Sequence, residues 1–180
     1  MTDENAMKAV SEGDLDKAAI LFERYQKSMF NFFLKLTYDR EASQDMTQNL
    51  FYRIIRYRKS YNSQMLFRPW IYQMARNVQA DHYRKDKIKK SEFADMESIS
   101  IELMESHAEA DQQEREINLH KALAKLEKEQ REILIMNKFQ KLKYEEIAKI
   151  LDTTPGAVKV KAHRAIKKLK GIYFMVEKSK

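Results

Sequence analysis

Tyr144-Glu-Glu-Ile-Ala-Lys-Ile-Leu151, Asp152-Thr-Thr154 and Pro155-Gly-Ala-Val-Lys-Val-Lys-Ala-His-Arg164 follow one another without interruption. The first stretch is long enough for about two helical turns. The second is a three-residue turn, and the third opens a longer helix. Thr154 can cap that helix, and Pro155 fits its first position, where a missing N–H costs nothing. A short helix, a tight turn and a longer helix make a helix-turn-helix. In the longer helix Val158, Ala162, Ala165 and Leu169 share one face, which must pack on the preceding helices. Lys159, His163, Lys167 and Lys170 share another, flanked by Lys161, Arg164 and Lys168. A basic face of this kind can lie in a major groove, which is wide enough to admit a helix. There Lys and Arg neutralise phosphates, and Lys159, His163 or Arg164 can reach base edges. The competing reading is an amphipathic helix with a solvated basic side.

Helical patterning extends upstream. Gln140 to Lys143 is the whole connection to a helix over 131–139, and Leu119, Leu123 and Leu126 form a further short stripe. This second body is read as residues 117–180. Nearer the N-terminus, Leu15, Ala18, Phe22, Tyr25, Met29, Phe32 and Leu36 step by three or four from Asp14 onward. Asp39 can cap the helix that carries a second stripe at Met46, Leu50, Phe51, Ile54 and Tyr57. Residues 58–66 are polar and aperiodic and read as a loop. Trp70, Ile71, Met74, Ala75, Val78 and His82 then mark a helix over 67–84, with Pro69 near its start.

Composition agrees with an all-α chain. Three Gly and two Pro among 180 residues fall far below the roughly 12 % of average usage. Sandwiches, barrels and dinucleotide folds need more turn residues than that. With no Cys, disulfide scaffolds, thiolate catalysis and Cys-ligated metals are excluded. The acidic N-terminus has no apolar signal region. The longest aliphatic run, Ile133 to Met136, is far shorter than a spanning helix of about 20 residues. No membrane insertion is expected, and a cytoplasmic location is.

Charge divides the chain. Residues 1–91 carry 17 Lys and Arg against 11 Asp and Glu; residues 92–116 carry one against nine; residues 117–180 carry 16 against seven. Two basic bodies that face a polyanion, joined by an acidic connector, fit that split. The expected architecture is two small helical domains, 1–90 and 117–180, joined by an acidic linker at 91–116. Fourteen of the 19 aromatic residues lie between Phe22 and Tyr83, so the first body has an aromatic core with some rings exposed. Trp70 reads as core. Tyr61, in a polar loop, reads as exposed.

Three segments carry a resemblance. The 144–165 stretch resembles the fourth region of bacterial sigma factors. Asp45-Met-Thr-Gln-Asn-Leu-Phe51 is similar to that family's D-L-T-Q-E-x-F segment. Phe67-Arg-Pro-Trp-Ile-Tyr-Gln-Met-Ala-Arg-Asn77, followed by Asp81-His-Tyr-Arg84, is similar to its F-R-x-W-L-x-x-I-A-x-N and D-x-x-R segment. Their order and spacing resemble the two-domain extracytoplasmic-function (ECF) sigma factors over roughly residues 10–87 and 117–172. Asn49 stands where the family usually has Glu, Lys143 where it often has a capping Ser, and Lys159-Val160-Lys161 where Arg-Ser-Arg is usual.

The resemblance implies core RNA polymerase and promoter DNA as partners, and an anti-sigma factor as inhibitor. The helix over 41–57 would dock on the β′ clamp coiled coil through Asp45, Gln48, Asn49, Arg53 and Arg56, and the β flap would be a second polymerase contact. Loop 58–66 and the helix after it would capture the melted minus-ten strand, with Tyr61, Arg68, Tyr72, Arg76, Asn77 and Arg84 as DNA-binding groups. Thr154, Lys159, Lys161, His163, Arg164 and Lys167 would read the minus-thirty-five element. Unstacked bases do need aromatic platforms in a basic groove. Lysine lacks the bidentate fork that Arg offers guanine, so Arg164 would carry more of the direct readout.

Chemistry of the chain's own is not expected. His82, His107, His120 and His163 are too far apart in sequence for a metal pair on one helix face. Glu145 and Glu146 are adjacent and diverge by about 100° on a helix. Gly13, Gly156 and Gly171 are isolated, so no phosphate loop exists. No cofactor is expected. The alternative function is a stand-alone helix-turn-helix regulator whose N-terminal body binds a partner.

Overall fold

A computed structural model describes residues 1–92 and 110–179. The chain divides into two compact units, Met1–Ser100 and Ile101–Lys180. Every regular element among the described residues is helical. Of the connector expected at 91–116, residues 93–109 lie outside the described residues.

The first unit contains α1 (Asp3–Glu12), α2 (Ala18–Thr37), α3 (Arg40–Arg56) and α4 (Phe67–Glu92), with 3-10 turns at Leu15–Lys17 and Arg58–Ser60. Local chemistry sets the boundaries. Thr2 Oγ1 accepts the Asn5 N–H at 3.2 Å to start α1. Gly13 ends it in the left-handed region at φ 114°, where a side chain would be strained. Tyr38 closes α2 at φ 54°, and Asp39 Oδ1 accepts the Ala42 N–H at 2.9 Å to cap α3. α1 has no counterpart in the sequence reading. Only Ala6, Met7 and Val10 are buried along its ten residues, too few for a clear stripe.

The core of this unit is aromatic and dense. Phe32 and Phe33 from α2, Met46, Leu50 and Ile54 from α3 and Phe67, Ile71, Tyr72, Ala75 and Val78 from α4 are all buried. Phe32 meets Tyr72 edge-on at 5.3 Å and Tyr25 meets Phe67 at 5.2 Å, the arrangement ring quadrupoles favour. Tyr57, which the stripe predicted inside, is half exposed, as is Phe22, whose edge packs on Phe51 at 4.8 Å.

The second unit contains α5 (Ala110–Ala124), α6 (Lys128–Leu134), a π-helical turn at Ile135–Phe139, α7 (Tyr144–Leu151) and α8 (Pro155–Lys178). α5 starts within the stretch read as connector. Its acidic first turn, with Asp111, suits the positive end of a helix dipole, and composition alone does not distinguish that from a solvated linker. α8 runs past Leu169 because Gly171 is tolerated inside a helix while Ile172 continues the packing face. Leu123, Leu126, Leu134 and Ala165 form a buried cluster, with Leu119, Phe139, Ile166, Leu169 and Ile172 against it. Arg131 Nη2 donates to the carbonyls of Ala124 and Leu126 at 3.0 and 3.2 Å, satisfying the end of α5.

Candidate nucleic-acid interface

The α7–α8 turn is built from caps. Asp152 ends α7 at φ 52° and its N–H reaches the Ala148 carbonyl. Thr154 Oγ1 accepts the Ala157 N–H at 3.2 Å and Pro155 occupies the first turn of α8. At the start of α7, Lys143 offers no side-chain acceptor. Glu146 compensates by accepting the Lys143 backbone N–H at 2.8 Å, the carboxylate half of a capping box.

These caps set the rotation of α8. Val158, Ala162 and Ala165 are buried, while Lys159, His163, Arg164, Lys167, Lys168 and Lys170 are exposed. The positive face therefore points outward. It is not uniformly available, because the start of α6 supplies two carboxylates. Lys161 Nζ lies 2.6 Å from Glu129, and Lys168 Nζ lies 3.6 Å from Glu127. Partner-bound Lys161 is the least accessible of the cations named from sequence on α8.

In the first unit, loop 58–66 presents Asn62, Ser63, Gln64, Met65 and Leu66 to solvent. Tyr61 departs from expectation: it is only 7 % exposed. Its ring meets Trp70 edge-on at 5.1 Å and its hydroxyl donates to the Met65 carbonyl at 2.6 Å. The proximity of Phe67 and Trp70 makes the ring a packing element despite its polar sequence neighbours. Burial, with the nearby negative charges of Glu4 and Asp3, pushes its phenol up to about 12. Tyr72 is a second correction. It is fully buried against Phe32, with its hydroxyl 3.1 Å from Ser28 Oγ, because its position on α4 faces α2. Trp70 is core, as its stripe indicated.

Of the α4 residues named from sequence, those that remain accessible are polar and basic. Asn77 and Arg84 are exposed, and Arg68 and Arg76 are half-buried. The sequence reading missed the apolar groups that do face solvent: Met65 and Leu66 at the loop tip and Tyr83 on α4. Two apolar residues closing an otherwise polar loop were the available signal.

On α3, Asp45, Gln48 and Arg56 are exposed, while Asn49 and Arg53 are half-buried. Asn49 Oδ1 accepts from Arg53 Nε at 3.2 Å. The Arg56 guanidinium stands 5.9 Å from the Tyr52 ring and 5.6 Å from the Tyr57 ring, a cation–π arrangement on exposed aromatics.

Asp81 links the two helices. It pairs with Arg53 of α3 at 2.8 Å and also with Arg84. The hydrogen bond from Arg53, then that from Arg84, hold its carboxyl below the usual range. A depressed folded value means the contribution to stability is complete above the unfolded carboxyl value. It disappears as pH falls through the folded one. Asp81→Asn is accordingly expected to lower stability at pH 7 by up to about 1 kcal/mol. The difference between variant and parent, measured by denaturant titration, should vanish in acid; a difference that grows on acidification would contradict this assignment.

Among the described residues no cluster of His, Asp or Glu fits a metal ion, and no helix is long and apolar enough to cross a membrane.

Residues 21–88 match the family described as Sigma-70 region 2, and residues 116–169 match Sigma-70, region 4. A 67-residue stretch is 31 % identical to the "ECF RNA polymerase sigma factor SigM" of Bacillus subtilis (strain 168). It covers 37 % of this chain and 40 % of that protein, so the match spans less than half of either. CnrH, solved in complex with the cytosolic domain of CnrY, superposes with a TM-score of 0.74 at 18 % identity, over 94 % of this chain and 96 % of that one. The sigma factor RpoE of Bartonella quintana, solved with the anti-sigma factor NepR, gives 0.69 at 21 % identity, over 86 % and 94 %. At such identities the likeness is one of fold.

Proposed function

The chain belongs to the sigma-70 family, in its two-domain ECF branch, and from that premise we propose that it is a dissociable initiation subunit. It binds core RNA polymerase and directs it to promoter DNA. The observation that carries the reading is the pairing of regions 2 and 4 in one chain with an outward-facing basic helix on a capped helix-turn-helix.

In this account α8 enters the major groove of the minus-thirty-five element. Lys159, His163, Arg164 and Lys167 provide the contacts, Lys161 reaches DNA once it leaves Glu129, and Thr154 sets the helix start. Loop 58–66 and the Arg68, Arg76, Asn77 and Arg84 side of α4 receive the opened minus-ten strand. With Tyr61 and Tyr72 inside, the groups left to meet an unstacked base are Asn77 and the exposed loop tip. Asp45, Gln48, Asn49, Arg53 and Arg56 on α3 face the β′ clamp coiled coil, and the β flap is a further polymerase contact. Arg53 makes that contact from within its pair with Asp81.

The chain performs no chemistry. Flipping a base costs a few kcal/mol, which binding contacts must offset. It acts in the cytoplasm without cofactor or membrane insertion. An anti-sigma factor is its proposed inhibitor, a reading supported by a fold shared with a protein solved in such a complex.

Runoff transcription from genomic promoter fragments tests the proposal. Core polymerase with the chain should yield discrete transcripts that core alone does not. Tight duplex binding by the free chain, with no association with core, would favour the stand-alone regulator. At residue level, Asn77→Ala should blunt discrimination between minus-ten sequences while core binding, measured by co-elution, stays intact. Loss of core binding would make Asn77 structural.

A further inference from the structure

We infer that Glu4 is a positioning residue for strand opening, holding from α1 the junction between loop 58–66 and α4. The inference rests on the promoter-opening role proposed above. Glu4 Oε1 accepts the Phe67 N–H at 3.1 Å across 63 residues of sequence. Phe67 is the first residue of α4, so this N–H is one of those a helix cannot pair internally. The preceding residue is Leu66, whose side chain has no acceptor. The cap therefore comes from another helix, and its charge suits the positive end of the α4 dipole.

The support for Glu4 is rigid. Thr2 caps α1, and Ala6, Met7 and Val10 are buried. The neighbouring Asp3 accepts from Arg24 and from the Tyr25 hydroxyl, each at 2.6 Å. On the other side of the junction, Phe67 packs edge-on against Tyr25 at 5.2 Å and Tyr61 at 6.2 Å. Tyr61 in turn bonds the Met65 carbonyl. Both ends of the loop thus close on the ring cluster that Glu4 anchors, while residues 62–66 stay exposed. An exposed tip held in one geometry loses less conformational entropy on capturing a strand. α1 lies wholly ahead of the residues matching region 2, so this cap is a contribution of the chain outside the matched segment.

Glu4→Ala and Glu4→Gln test it through two measurements on the full chain. In Glu4→Ala, amide hydrogen exchange at residues 61–67 should rise about fivefold, the equivalent of roughly 1 kcal/mol for a lost cap, with α2 and α3 unchanged. With core polymerase, initiation from a duplex promoter should fall by a similar factor, and a template already unpaired across the minus-ten element should restore it. Glu4→Gln keeps an acceptor oxygen and should stay within about twofold of the parent. Unchanged exchange at 61–67, or exchange raised throughout the first unit, overturns the inference. So does an equal loss on both templates. A parent chain that stimulates neither template overturns the initiation role instead, and that control identifies it.

Discussion

Tyr72→Ala is expected to destabilise the first unit by about 3–5 kcal/mol, while Tyr72→Phe costs no more than about 1.5 kcal/mol. The ring is fully buried between α2 and α4 and meets Phe32 edge-on. Truncation leaves a cavity that close-packed neighbours cannot fill. The phenylalanine variant keeps the ring and loses the hydroxyl, which lies 3.1 Å from Ser28 Oγ. Trp70 is the sole tryptophan of the chain and sits in this unit, so its fluorescence reports unfolding of the first unit selectively. The expected result is an early fluorescence transition in Tyr72→Ala, with near-normal promoter opening by Tyr72→Phe. A Tyr72→Ala chain of normal stability that has lost promoter opening would return this residue to the role of a base-stacking platform.

The second large effect belongs to α8. Arg164 is exposed on the outward face and no carboxylate holds it among the described ion pairs. Arg164→Ala should weaken recognition of the minus-thirty-five element by about 1–3 kcal/mol and relax preference at one base pair. Lys168 lies 3.6 Å from Glu127, and a lysine ammonium binds phosphate as a point charge without the fork that reads a base edge. Lys168→Ala should weaken all sequences alike and lower the salt slope by about one. Initiation from a set of promoter variants, repeated across salt concentrations, separates the two. Equal shifts of sequence preference in both variants would mean that the helix faces are misassigned.

The contrast between Tyr72 and Arg164 shows what the sequence disclosed. On α8, apolar residues at steps of four and three fix which side packs, so the opposite side had to be the basic one. Asp39 and Thr154 were legible for the same reason, since a cap acts on its own next turn. Tyr61 was misread because its burial depends on Phe67 and Trp70, which arrive only when loop and helix fold together. Tyr72 faces α2 through a three-dimensional packing angle that no local spacing specifies. Glu4 lies 63 residues from the amide it caps, and a cap supplied at that separation leaves no local signature. The pairing of Lys161 with Glu129 was hidden likewise. Sequence periodicity reports the inside of one helix. It does not report which polar groups on different helices find each other.

Permanganate reactivity of minus-ten thymines tests the central claim most directly. With core polymerase, the chain and a cognate duplex promoter all present, those thymines should become reactive. Omitting either core polymerase or the chain should leave them unreactive. Thymines that stay paired in the complete mixture, while the chain alone protects the duplex, would contradict the account and identify a regulator that binds DNA without opening it.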